Sequence, residues 1–389
     1  MGGGGEETGA TRPLVARFPG LASLPFAPLA HTPTPVQALH RLQAVAGLDV
    51  PILVKRDDLT SALFGGNKVR KLELPLGQAL AAGATALLTA GSVGSNHVLA
   101  TALHGQRLGL KVVGLVRPQA ASTQVRRNLL LAHRHGAELL PLEADVSLRS
   151  TGETVRAHLD ALRSEGHRPR FIPFVGMDES GAVGYVNAAF ELVDAISAGK
   201  LPRPDSIYVA VGSSGTAVGL ALGLKAAGLP VRVVGVRVVG EADASEQRLA
   251  ELFAATCRLL RGADPSFPEL SLSPGDIQLH HGAVGRGYGW LTQAGLETAR
   301  RVHETEGLWL DGCYTAKAFT ALLEDVRGGV AGRQPLFWHT SDGLGWGFRP
   351  EKDEWRALPP ALHGYFQEGD SCQPLDASFA SLEPLPADA

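Results

Sequence analysis

Short apolar runs rich in β-branched residues alternate along this chain with longer Ala/Leu-rich segments, and no other feature restricts the fold as strongly. Strands separated by helices of that length pair in parallel through right-handed crossovers. The pattern predicts strands over 52–55, 84–91, 110–116, 137–142 and 171–175, with helices over 68–82, 95–109, 125–136, 151–164 and 182–198. Leucines at 72, 76 and 80 set the period of the first helix, which Pro75 is expected to kink. The alternation restarts with a strand over 205–212, a helix over 215–228, a strand over 231–240 and a helix over 241–259. Residues 262–288 hold several Pro and Gly residues and are expected as a long loop. Helices over 290–305 and 315–326 flank a short strand candidate at 308–310, and 336–343 is the last strand, followed by a Pro-rich stretch expected to pack irregularly. No internal repeat is visible. Two restarts predict two α/β layers with a cleft between them, where ligands bind beyond the carboxyl ends of strands.

Composition narrows the function. With 36 Lys plus Arg against 39 Asp plus Glu, the net charge is −3 over 389 residues, without the basic excess that phosphate neutralisation needs, so nucleic acid is not an expected partner. Three scattered cysteines, Cys257, Cys313 and Cys372, are too few for a disulfide framework and suit a reducing compartment. The start, MGGGGEETGATRPLVARF, lacks a positive segment leading into an apolar one, so the first ten residues read as a disordered tail rather than a secretion signal. No apolar run is long enough for a membrane span. The expectation is a cytoplasmic protein with no membrane partner.

Three polar segments follow strands directly. GSSGTAVG, Gly212–Gly219, opens a helix; its small residues let backbone amides approach an anion, and the helix dipole favours a phosphate there. It matches neither G-x-x-x-x-G-K-[ST] nor G-x-G-x-x-G, which disfavours a triphosphate or a dinucleotide. A tight strand-to-helix turn that binds nothing is the plainer alternative. FGGNKVRKLE, Phe64–Glu73, places Lys68 in a Gly/Asn turn at a helix start, where the dipole helps to depress an amine pKa as a carbonyl-binding lysine requires; an exposed surface lysine is the alternative. GSVGSNH, Gly91–His97, puts Ser95, Asn96 and His97 at the mouth of a helix that Ser95 can cap.

Together with KRDDLT and LDGCYTAKA, these segments resemble the pyridoxal-phosphate enzymes that include 1-aminocyclopropane-1-carboxylate deaminase and D-cysteine desulfhydrase, over about Thr34 to Gly343. The resemblance implies two open twisted parallel-sheet domains of the tryptophan synthase β-like kind (fold type II). Residues 11–70 with 186–389 would form a large cofactor-binding domain and 71–185 a small one, in a homodimer acting on a small amino acid. It implies that Lys68 carries pyridoxal 5'-phosphate, beside Asn67, with Lys71 as a second lysine. Asn96 would meet the ring hydroxyl, and Gly212, Ser213, Ser214, Gly215 and Thr216 the phosphate. Tyr288 and Tyr314 would be the active-site tyrosines. Ser95, with Asn96 and His97, would approach the substrate carboxylate or α-carbon. No metal is implied.

Thr315 stands where the cyclopropane-opening deaminases are similar to one another in carrying a glutamate beside the pyridine nitrogen. A neutral hydroxyl cannot keep that nitrogen protonated, which points to β-elimination, and SNH rather than SNQ is the desulfhydrase-like form. The implied reaction is desulfhydrase-like: Lys68, or Ser95 assisted by Lys71, removes the α-proton, the β-substituent leaves, and a 2-oxo acid and ammonia follow. Cyclopropane deamination, L-cysteate desulfonation and a specialised biosynthetic elimination are the alternatives. The chain also departs from the family pattern: Val98–Thr101 replaces a VRQTA-like continuation, Gly312 and Cys313 replace Pro and Val, and HTSDG, His339–Gly343, replaces HTGG. A non-catalytic cofactor or amino-acid binder is the alternative of another class.

Other groups read as structural. His280 and His281 with Asp276 make a poor metal set and are expected as loop histidines, and His303-Glu304 lacks the second histidine of H-E-x-x-H. Cys313 reads as a buried apolar cysteine, no G-x-S-x-G elbow occurs, and Arg126 and Arg127 read as a solvated helix face.

Overall fold

The computed structural model describes residues 12–143, 152–173, 178–342, 350–367, 373 and 375–376. The chain begins with α1 (Pro13–Arg17), β1 (Val36–Ala38), α2 (His40–Ala46) and β2 (Leu53–Lys55), then enters α3 (Asn67–Ala81). A regular series follows: β3 (Ala86–Ser92), α4 (Asn96–Arg107), β4 (Lys111–Arg117), α5 (Thr123–Arg134), β5 (Glu138–Pro141), α6 (Gly152–Ser164) and β6 (Pro169–Ile172). Helix α7 (Glu179–Ser197) leads to β7 (Ser206–Val211), α8 (Gly215–Ala226), β8 (Arg232–Arg237), α9 (Glu246–Ala263) and β9 (Ile277–His280). The chain continues through α10 (Gln293–Glu306), α11 (Thr315–Arg327) and β10 (Pro335–Trp338).

These strands form two sheets, one ordered β1-β2-β10-β7-β8-β9 and the other β5-β4-β3-β6. Every pairing is parallel except β1 with β2, which is antiparallel. All seven residues of β3 and all six of β7 are buried, as strands covered by helices on both faces must be. Pro75 lies inside α3, where Leu72 and Leu76 are buried and Leu80 is exposed. Helices α3, α7 and α8 pack with their backbones almost touching. A Cβ on Gly184 of α7 would lie 2.1 Å from the carbonyl oxygen of Arg70, and one on Gly219 of α8 would lie 2.4 Å from that of Ala182. After the last strand, 3-10 turns at Glu354–Ala357 and Pro360–Tyr365 set the buried Leu358 and Leu362 against the core of the smaller sheet.

Some expectations fail. Residues 262–288 contain an edge strand, β9, so His280 is a strand residue and not a loop histidine. The 308–310 segment forms no strand; Leu308 and Leu310 are buried as core side chains on irregular backbone. Arg127 is buried, with Nη2 2.8 Å from Asp342 Oδ2, so α5 does not present it to solvent; Arg126 is half-buried and its Nε donates to the Tyr365 carbonyl at 2.7 Å. The expected tail at 1–10, Cys372 and part of the 171–175 strand lie outside the described residues.

Candidate active site

A cavity of about 160 Å³ opens between the layers at the carboxyl ends of β3, β4 and β7. Of the residues singled out in the sequence, Asn67, Lys68, Lys71, Ser95, Asn96, His97, Gly212, Ser213, Ser214, Thr216, Tyr288 and Tyr314 line it, whereas Gly215 and Thr315 do not. Thr315 is fully buried behind the wall, its hydroxyl donating to Asp311 Oδ2 at 2.6 Å and accepting from the Asp311 backbone N–H at 2.8 Å.

Helix α3 brings in two lysines three residues apart. Burial penalises the ammonium form and lowers Lys68 to about 8. Lys71 is lowered well below its ordinary value, first by burial and then by the charge of Lys68. Between them Arg70 turns the other way, into a buried network with Asp57 and Glu191. Asn67 Nδ2 donates to Thr216 Oγ1 at 3.2 Å, tying the lysine turn to the Gly/Ser turn.

At that Gly/Ser turn Ser214 adopts a left-handed conformation with φ 71°, and α8 begins with no side-chain cap. Ser214 Oγ is buried with no partner among the described residues. An orphaned hydroxyl beside uncapped first-turn amides is the donor set that a phosphate monoester satisfies. The residues present therefore fit pyridoxal 5'-phosphate: an anion cradle, a weakly basic lysine, and side-chain amides between them.

The opposite wall comes from α4. Ser95 caps this helix, its Oγ accepting from His97 N at 3.2 Å and Val98 N at 3.3 Å. Asn96 Oδ1 accepts from Asn128 Nδ2 at 2.8 Å and Gln124 Nε2 at 3.3 Å, so the amide is held by its oxygen and its NH₂ end has donors to offer. His97 Nε2 lies 2.9 Å from Thr89 Oγ1, whose proton goes to the Ile172 carbonyl; burial drives the imidazole down to about 3, so it is neutral at physiological pH.

Tyr314 donates its hydroxyl proton to Tyr288 at 2.8 Å, and Tyr288 lies 3.4 Å from Ser92 Oγ. Burial pushes Tyr288 up to about 12 and raises Tyr314 well above the ordinary phenol value, so both phenols are proton donors at neutral pH. Cys313, also raised to about 12 by burial, is an inert thiol rather than a nucleophile.

Asp311 and Arg117 also line the cavity and were not singled out in the sequence. Asp311 accepts from the backbone N–H groups of Cys313 and Tyr314 at 3.1 and 2.7 Å and so fixes the start of α11. An aspartate four residues before a helix start was the available signal. For Arg117 it was a cation at the carboxyl end of an apolar strand. Among the described residues no group of His, Cys, Asp and Glu could hold a metal ion, and no helix is long and apolar enough to cross a membrane.

A lysine at a helix start, facing an anion cradle at the mouth of a second helix between two open, largely parallel sheets, defines a pyridoxal-phosphate site of fold type II. Residues 27–340 match the pyridoxal-phosphate dependent enzyme family, and the chain belongs to it. It is 39% identical to nocardicin C-9' epimerase of Nocardia uniformis subsp. tsuyamanensis, over 89% of this chain and all of that one. It is 36% identical to a putative 1-aminocyclopropane-1-carboxylate deaminase of Pyrococcus abyssi, over 84% of this chain and 92% of the relative. D-cysteine desulfhydrase of Salmonella choleraesuis is 33% identical over 79% of this chain and 90% of its own length. The crystal structure of an ACC deaminase homologue superposes with a TM-score of 0.73 at 33% identity, covering 86% of this chain and 97% of that one. The protein is thus a pyridoxal-phosphate-dependent enzyme, with the tryptophan synthase β-like fold and a site architecture of the lyase and deaminase type.

Proposed function

We propose that this enzyme deaminates a small amino acid by removing its α-hydrogen and expelling its β-substituent, releasing a 2-oxo acid and ammonia. The observation that carries the reading is the placement in one cavity of a weakly basic amine, Lys68, and a hydrogen-bonded pair of protonated phenols, Tyr314 and Tyr288. When bound, pyridoxal 5'-phosphate supplies the electron sink that acidifies the α-hydrogen and returns the electron pair as the leaving group departs. Ser213, Ser214, Thr216 and the first turn of α8 would hold its phosphate, and Asn96 would offer donors to its ring.

Lys68 would hold the cofactor through its amine, the weakly basic group at the start of α3. The same amine, in its neutral form, would accept the α-proton. Tyr288, relayed by Tyr314, donates a proton to the departing β-substituent. His97 stays neutral and acts by position, while Ser95, with its oxygen used twice in capping, retains a hydroxyl proton for the substrate.

Greater similarity to the putative deaminase and the epimerase than to the D-cysteine desulfhydrase favours a specialised biosynthetic elimination over D-cysteine itself; cyclopropane deamination, the other alternative, would need a different first step, because its substrate carries no α-hydrogen. A second reading is epimerisation, supported by the full-length match to nocardicin C-9' epimerase. It uses the same proton removal, with the proton returned to the opposite face. Proton NMR of holoenzyme with amino-acid candidates in D₂O separates the two. Release of a 2-oxo acid and ammonia supports elimination, and α-deuteration of an intact amino acid with inversion supports epimerisation. Borohydride reduction that fails to label Lys68 would sink both.

A further inference from the structure

The cavity contains a cation that the proposed chemistry does not use. Arg117 is the last residue of β4, in register with Ser92 at the end of β3, and lines the wall beside Tyr288. Its Nε is buried without a hydrogen-bond partner, and no carboxylate forms an ion pair with it among the described residues. Buried guanidinium N–H groups are ordinarily satisfied, and a guanidinium that lines a cavity with no carboxylate paired to it is the complement of an oxyanion that enters from solution. The cofactor's phosphate already has its own donors at Ser214 and α8, on β7 of the other sheet.

We propose that Arg117 is the specificity residue of this enzyme, binding a carboxylate or sulfonate oxyanion of the amino-acid substrate. This rests on the reading that the cavity takes an amino acid. The position beside Tyr288 puts the anion next to the phenols that serve the departing group. At the first turn of α4 the His97 and Val98 amides are taken by Ser95, which leaves the Ser95 hydroxyl proton as the donor offered there.

The test is titration of the holoenzyme's visible absorption band with aspartate and cysteate, and with alanine and serine, in both enantiomers, for wild type, Arg117→Gln and Arg117→Lys. Loss of a charge-assisted pair is expected to raise the half-saturating concentration in Arg117→Gln by about ten- to a hundred-fold. Arg117→Lys should recover part of that loss, and the resting spectrum and thermal midpoint should not move. Loss confined to aspartate and cysteate identifies the anion as a side-chain acid, and equal loss with all four identifies it as the α-carboxylate. Half-saturation within two-fold of wild type for every ligand overturns the assignment while the amino-acid reading stands. A wild-type band indifferent to every amino acid overturns both.

Discussion

Arg70 grips Asp57 through two parallel hydrogen bonds, Nε to Oδ2 at 3.0 Å and Nη2 to Oδ1 at 2.8 Å, with both side chains out of reach of solvent. Its remaining Nη1 reaches Glu191 Oε2 at 2.9 Å, and Tyr185 and Trp338 each donate to Asp57 Oδ2, at 2.8 and 2.7 Å. Lys55 pairs with Glu191 in the same network. This cluster ties α3 to β2, α7 and β10 and so fixes the helix that presents Lys68. Replacing Arg70 by Met leaves Asp57 buried without its paired cation and Glu191 with Lys55 alone, and a loss of about 3–5 kcal/mol in folding stability is expected. Denaturant midpoints measure it, and an unchanged midpoint would refute the anchoring role.

Attachment of the cofactor requires a neutral Lys68. With that amine near 8, the rate of cofactor uptake by apoprotein should climb roughly tenfold per pH unit below that value and level off above it. Stopped-flow absorbance across pH 6 to 10 reads this directly. His97, neutral throughout that range, should add no inflection.

The phenol pair acts as one donor. Tyr314→Phe and Tyr288→Phe are each expected to lower kcat by about 10²-fold or more while leaving cofactor uptake intact. The double variant should be little worse than either single one, because each single change already breaks the relay. Strict additivity in kcat would show that the two hydroxyls act separately.

Glu73 gives a pH dependence of stability whose sign is unusual for a carboxylate. Burial raises it to about 7 although the Leu29 and Ala30 amides donate to it. The folded chain therefore holds a proton that the unfolded chain has released between about pH 4.5 and 7, so stability falls as pH rises through that window, by about 3 kcal/mol. In Glu73→Gln this component should vanish; a slope that persists in urea melts of the variant assigns it to another group.

Sequence periodicity exposed what depends on local pattern. The fully buried runs of β3 and β7 and the Ala/Leu helices between them read correctly, because parallel strands covered on both faces have distinctive composition. β9 was hidden in a Pro- and Gly-rich stretch, since a four-residue edge strand has half-exposed side chains and little apolar signal. The opposite error arose at Leu308 and Leu310, which are apolar because they fill a core and not because they pair. Motifs led to most of the cavity wall, but pairings across long separations left no trace. Arg127 and Asp342 lie 215 positions apart, so a buried ion pair looked like one solvated cation and one unexplained departure. Thr315 was read for its neutral hydroxyl, whereas its proton is committed to Asp311, a partner visible only in three dimensions.

The close approach of Gly184 to Arg70 and of Gly219 to Ala182 has a mechanical meaning. Helices α3, α7 and α8 are held backbone against backbone, with no side chain between them to yield. Lys68 starts one end of this block and the phosphate cradle starts the other, so the distance between them is set by a strut rather than by a hinge. Ser95, Asn96 and His97 belong to the other layer. Any breathing of the cleft therefore changes how tightly the substrate and the cofactor's ring are held and leaves the spacing of Lys68 and the phosphate cradle unaltered.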